Sequence, residues 1–198
     1  MSGGGTERKG RGLWIPLLMA IVFLGPLSLA AYLYYETDNW RPAAKSHHGD
    51  LIDPARKLPP LHSANSDLFD GKWTLLYIGH GDCSGRCEQA LHDMRQIRLA
   101  LGKDRDRMQR VLLYLAPAPG MDVAKTKHPA LIVAEVDAAR DAQFLKTFPM
   151  LREQDLFTAG RIYIVDPLGN LVLSYAQDTN RSGLLEDVKR LLKLSRIG

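Results

Sequence analysis

The chain has 198 residues, 45% of them hydrophobic and 24% charged, which suits one globular core with an appendage. Its formal charge of +4 is modest, and the basic residues are scattered among acidic ones with no long basic block, so no nucleic-acid partner is expected. Cys83 and Cys87 are the only cysteines, too few for a disulfide framework, and are therefore a single bridge, a redox pair or a ligand pair.

Met1 to Gly12 is Gly-rich and basic, has no apolar face to bury, and reads as a short cytoplasmic tail. From Leu13 to Tyr35 there is no charge, and at helical rise the segment covers about 34 Å against a hydrocarbon core of roughly 30 Å. A transmembrane helix over 13–35 is predicted, kinked but not ended by Gly25-Pro26. Trp14 at one end and Tyr32, Tyr34 and Tyr35 at the other form aromatic belts. Arg8, Lys9 and Arg11 against Glu7 put the tail on the cytoplasmic side of an inner membrane and the C-terminal domain on the exported, periplasmic side. The competing reading is a cleaved signal peptide, with Ser28 and Ala30 before the cut, but the apolar run continues past that point as an anchor requires.

Residues 36–57 are polar and Pro-containing without a sustained period, and read as a linker between membrane and domain. His47-His48 within it is expected to be solvated. The domain is expected over 58–198. Leu58 to Phe69 suits an extended lead-in, and Asp70-Gly71 turns the chain into a buried central strand, Trp73 to Ile78. After the cysteines, Ala90, Leu91, Met94, Ile97 and Leu101 fall at helical spacing, and Gly102 sits where a left-handed cap ends the helix. Cys87 shares that apolar stripe and is expected to be the less exposed thiol. A second strand is predicted at Arg110–Ala116, a short helix at Met121–Thr126, a third strand at Pro129–Val136 and a helix at Ala138–Phe148 stopped by Pro149. Arg161–Val165 and Leu171–Tyr175 flank Asp166-Pro167-Leu168-Gly169-Asn170, a hairpin turn, and an amphipathic helix at Ser182–Leu194 closes the chain. Strands alternating with helices, then a hairpin and a final helix, imply an α/β fold with a mixed sheet covered on both faces.

The two cysteines follow the first central strand and open a helix, where α/β sheets place their sites and where the positive end of the helix dipole favours thiolate. Cys83 is expected to attack and Cys87 to resolve a mixed disulfide, with Arg86 adding positive charge and Asp82 opposing it. Spaced i, i+4, they stand near the upper Cα limit for a bridge. Two soft thiolates also suit Cu(I), while structural zinc would need four ligands. His80, three residues before Cys83, is a further candidate ligand, base or loop residue. The plain alternative is a static bridge, but so short a loop removes little chain entropy. His92 is expected on the exposed side, His128 before a strand, and Tyr77, Tyr114, Tyr163 and Tyr175 in the core.

The element order, with Tyr-Ile-Gly-His-Gly-Asp-Cys-Ser-Gly-Arg-Cys after its first central strand, resembles the thioredoxin-like fold. Within that fold the chain is similar to the Sco family over roughly Lys72 to Leu194, through the anchor, Cys83 and Cys87, the Ile-Tyr-Ile-Val-Asp-Pro-Leu-Gly hairpin and the closing helix. The resemblance implies a membrane-anchored copper and thiol protein assisting cytochrome c oxidase assembly. Its partners would be a respiratory oxidase subunit or another exported thiol protein. It also implies copper held by both cysteines and a histidine just before the hairpin. Thr158 or a near neighbour falls at that histidine's position, and no histidine follows His128. The family's usual His before the first cysteine and Pro after one or both are Asp82, Ser84 and Glu88 here. Dithiol–disulfide exchange is therefore expected over copper handling; a non-catalytic membrane scaffold is the alternative. The loop lacks the Pro-x-x-x-Thr-x-x-Cys approach of a thiol peroxidase. Asp155 and Thr158 bear on the site only if the loop before the hairpin folds over the cysteines.

Overall fold

A computed structural model describes residues 14–36, 47–80, 83, 85–115, 121–149 and 156–197. The tail expected over 1–12, residues 37–46 of the linker, and Asp82, Ser84 and Asp155 lie outside the described residues. The chain divides into two units, Met1–Ser46 and His47–Gly198. In the first, helix α1 (Trp14–Glu36) runs uninterrupted through Pro26. Its Trp14–Tyr35 stretch has a mean hydropathy of 2.1 and is long and apolar enough to cross a membrane.

The second unit is built on one six-stranded sheet. Its strands are β1 (Asp50–Lys57), β2 (Trp73–Gly79), β3 (Met108–Leu115), β4 (Leu131–Val136), β5 (Ile162–Val165) and β6 (Asn170–Tyr175), in the order β1-β6-β5-β2-β3-β4. The β2–β3 and β3–β4 pairs are parallel; β2–β5, β5–β6 and β6–β1 are antiparallel. The helices are α2 (Arg86–Ala100), a 3-10 helix (Gly102–Arg107), α3 (Met121–Lys127), α4 (Ala142–Lys146) and α5 (Arg181–Leu194). This is the expected mixed sheet with helices on both faces.

The period-two alternation of the strands divides the core. Leu75, Tyr77, Met108, Leu112, Ile164 and Leu173 face one way and pack with Leu91, Met94 and Ile97 of α2 and Leu184, Val188 and Leu192 of α5. Leu76, Ile78, Val111, Leu113, Tyr163 and Val165 face the other way, against Phe144 of α4, Phe148, and the lead-in residues Leu58, Leu61 and Phe69. Strand β2 is buried along its whole length, as its apolar run requires.

Three expectations are corrected. Asp50–Lys57, read as linker, is the edge strand β1, and the domain begins at His47 rather than at 58. Only Ile52 of β1 is buried and its pairing with β6 shifts register between Leu51 and Arg56, around Pro54. An edge strand with an irregularity and a proline carries no alternation to detect. His48 is not merely solvated: its backbone N–H donates to Asp187 Oδ2 at 2.7 Å, and its ring Nδ1 lies 3.2 Å from Oδ1. The helix expected at Ala138–Phe148 shrinks to Ala142–Lys146, because the Asp137 carboxylate accepts the N–H groups of Ala139 and Arg140 and closes a turn first.

Smaller differences lie at element ends. Strand β3 begins at Met108, and β4 begins at Leu131 because Ala130 takes φ +62° behind the turn in which Leu131 N–H donates to His128 C=O at 3.1 Å. The hairpin turn forms as expected, with Gly169 at φ +76° and Asp166 accepting from Leu168 N at 2.9 Å and Asn170 N at 2.8 Å. Gly102, at φ +58°, follows the end of α2 as predicted.

Candidate functional site around the Cys83–Cys87 bridge

The fold delivers both cysteines to the C-terminal end of the central strand β2. They are joined as a disulfide, with Cα atoms 5.1 Å apart. That is shorter than the ~6 Å of an i, i+4 pair inside a helix, because α2 does not include Cys83. The helix begins at Arg86, and its N-cap Gly85 has φ +52°, so Cys83 lies in the preceding loop and Cys87 in the first turn. The geometric objection to a bridge at this spacing is thereby removed. Cys87 is buried with the α2 stripe, while Cys83 is half-buried and packs on the edge of the same cluster. The expected ranking of exposure holds.

Gly85, the N-cap of α2, has no side chain to cap the helix, so the first N–H groups of α2 face the loop that carries Cys83. Glu88, the acidic residue of the first turn, is engaged elsewhere: its carboxylate meets Lys127 Nζ at 2.8 Å, and that hydrogen bond and the lysine charge lower its pKa. Arg86 stays beside the site. A Cβ placed on Gly160 would lie 3.9 Å from Tyr77 Oη, 4.0 Å from Arg86 Cδ and 3.6 Å from Gln177 Oε1, so these three side chains converge where Gly160, at φ +63°, passes. Burial raises the pKa of Tyr77 and the Arg86 charge opposes that shift; the phenol is neutral at physiological pH.

His80 is exposed, and its ring lies 5.8 Å from that of Phe157. The segment 156–160 therefore packs beside the residues flanking the cysteines, with Phe157 at His80 and Gly160 at Arg86. Thr158 of this segment is exposed. His92 is exposed on α2, and His128 is buried at the end of α3. Of the core tyrosines, Tyr77, Tyr163 and Tyr175 are buried and Tyr114 is half-buried.

A family described as the transmembrane-like, thioredoxin-like, C-terminal domain matches residues 73–195. The chain belongs to this family. The matched span in this thioredoxin-like protein runs from the first residue of β2 to just past α5, leaving out β1 and the lead-in. No curated protein sequence matches the chain. Among solved structures it is similar to copper-bound ScoI of Bradyrhizobium japonicum, at 22% identity and TM-score 0.50 over 72% of this chain and 98% of that one. Copper-bound ScoI of Arabidopsis thaliana aligns at 16% identity and TM-score 0.52 over 74% and 99% of the two chains. Yeast Sco1 aligns at 15% identity and TM-score 0.54 over 71% and 94%. At these identities the likeness is one of fold.

Among the described residues of this thioredoxin-like protein no three His, Cys, Asp or Glu side chains group as a metal site. The donors at the bridge are two sulfurs bonded to each other, and in the described segment before the hairpin, 156–160, the sole side-chain heteroatom is the hard hydroxyl of Thr158. That segment adds no histidine to the two sulfurs, so the described residues do not form a copper centre of two cysteines and a histidine before the hairpin. Sequence reasoning found the sulfurs but missed the junction of Tyr77, Arg86, Gly160 and Gln177. Its only local signal was Gly160, and the partners lie on separate elements.

Proposed function

We propose that this protein is a membrane-tethered, Sco-type thiol–disulfide exchange protein that acts on an exported partner during respiratory oxidase assembly, its domain on the periplasmic side. The observation that carries the reading is the asymmetric Cys83–Cys87 bridge at a helix N-terminus, with Cys87 buried in the first turn of α2 and Cys83 half-buried in the loop before it. In the reduced form the Cys83 thiolate attacks one sulfur of a partner disulfide, and the second partner sulfur leaves as a thiolate that takes up a proton. The Cys87 thiolate then attacks Cys83 Sγ, the mixed disulfide breaks, and the partner leaves as a dithiol while the Cys83–Cys87 bridge forms. Two electrons pass to the partner, and a dithiol donor must restore the reduced pair. Cys83 is the shared sulfur because it is the accessible one.

Trapping tests this reading. Cys87→Ala retains the attacking sulfur and is expected to accumulate a mixed disulfide with a membrane protein, resolved by non-reducing electrophoresis; Cys83→Ala is expected to give none. Absence of any adduct in Cys87→Ala would favour a scaffold whose bridge is idle. A second reading, Cu(I) transfer through the reduced cysteines, is favoured by the copper-bound ScoI neighbours. Anaerobic Cu(I) titration separates the two, since a tight complex lost in Cys83→Ala would restore the copper function.

A further inference from the structure

The end of the domain opposite the cysteines carries a surface that disulfide exchange does not use. Strand β6 runs parallel to β2, so α5 returns from the cysteine end and finishes at the far end, beside the 3-10 helix that leads into β3. Arg107 welds these pieces, donating to Leu192 O at 3.0 Å and Ser195 O at 2.9 Å. Between them lies a groove of about 490 Å³ whose rim carries Lys103, Lys189 and Lys193. Its one acidic residue, Asp104, is taken by Arg107 at 3.5 Å. After Asp187 the sequence has no acidic residue, while Lys189, Arg190, Lys193 and Arg196 follow.

Helix-dipole complementarity accounts for cations in the last turn of α5 but not for Lys189, which lies outside it, nor for apolar neighbours. Leu194 is 75% and Ile197 52% exposed, adjoining Lys193 and Arg196. Large apolar side chains set among the exposed cations Lys189, Lys193 and Arg196 match an interface where headgroup phosphates meet acyl chains. The same chain carries an apolar span, and residues 37–46 between it and the domain reach at most about 36 Å fully extended. The domain begins at His47, at the cysteine end beside Gly183 and Ser174, so docking by the far end has this linker run back roughly 23 Å, the length of β2, which its reach allows.

We propose that the far end of the domain, formed by the C-terminal half of α5 and the 3-10 helix, docks on an anionic lipid surface. The inference rests on the membrane tether of the function proposed above. Docked in this way, the bridge stands off the headgroups by about the length of β2, roughly 23 Å, and faces partners that project that far.

The test uses the full chain in nanodiscs of phosphatidylcholine alone or mixed with phosphatidylglycerol, read by hydrogen–deuterium exchange. Amides of 189–197 are expected to exchange more slowly on the anionic discs by about fivefold for each lysine engaged. The difference is expected to disappear in high salt and in Lys189→Gln/Lys193→Gln, and to shrink in Leu194→Ser. These side chains are exposed, so the variants keep the fold. Equal exchange on both discs, or an unchanged difference in the lysine variant, would overturn the docking alone. Failure of the chain to enter either disc would remove the tether and the docking with it. Stronger protection by single-stranded RNA than by anionic lipid would reassign the patch and overturn the proposal.

Discussion

Arg86 is exposed and stands one residue before the buried sulfur, with its side chain passing Gly160 and its charge felt by Tyr77. Arg86→Gln is expected to slow alkylation of reduced Cys83 at neutral pH by about threefold and to move the rate profile to higher pH, because a cation near a thiol favours its anion. Stopped-flow alkylation checks this, and an unchanged rate would remove Arg86 from the site. Arg110 is a different case. It lies beneath α2, 2% exposed, with Nη2 donating to Pro129 O at 2.6 Å while Nε and Nη1 have no partner. Burial, with Arg98 and Arg95 nearby, lowers its pKa to about 10. Arg110→Met is expected to raise stability by about 1 kcal/mol in urea denaturation, since an apolar side chain of similar length leaves no guanidinium N–H groups unpaired. Cys83, Cys87 and their ranking were legible as residues because spacing and apolar stripe are local. The partly unpaired Arg110 was not, since its surroundings come from three separate elements.

Helix α5 is held to the start of the domain through one carboxylate. Asp187, 4% exposed, accepts from His48 N, Gly49 N at 3.3 Å and Tyr175 Oη at 2.8 Å. Burial alone would raise its pKa, but these donors and the His48 ring hold it below the ordinary value. A carboxylate depressed on folding stabilises above its unfolded pKa and loses that contribution as pH falls through the folded value. The urea midpoint is therefore expected to fall below about pH 4. Asp187→Ala is expected to cost about 3 kcal/mol at neutral pH and to flatten that acid dependence. Elements with strong internal periods, β2, α2 and α5, were readable from pattern alone. Strand β1 and the short α4 were not, because an exposed edge strand shows no alternation and the start of α4 is set by Asp137.

For the molecule as a whole, the folding unit begins at His47, not where the apolar lead-in starts. A fragment spanning 47–198 is expected to unfold cooperatively, whereas one spanning 58–198 loses β1, the Asp187 contacts of His48 and Gly49, and the Asp50 partner of Arg161, and is expected to be weaker by at least about 3 kcal/mol. Circular dichroism in urea distinguishes them, and equal midpoints would return β1 to the linker. The sheet order was legible only as far as its class, since which strand flanks which depends on pairings remote in sequence. The disulfide closes a ring of only four residues' separation. Opening it is expected to act first on the bend at Gly85, since the bridge closes neither the sheet nor the final helix. The oxidised and reduced domains are thus expected to differ little away from that bend. Any molecule that must tell them apart has to read a patch a few atoms wide, so discrimination between the two states is concentrated in the immediate rim of Cys83.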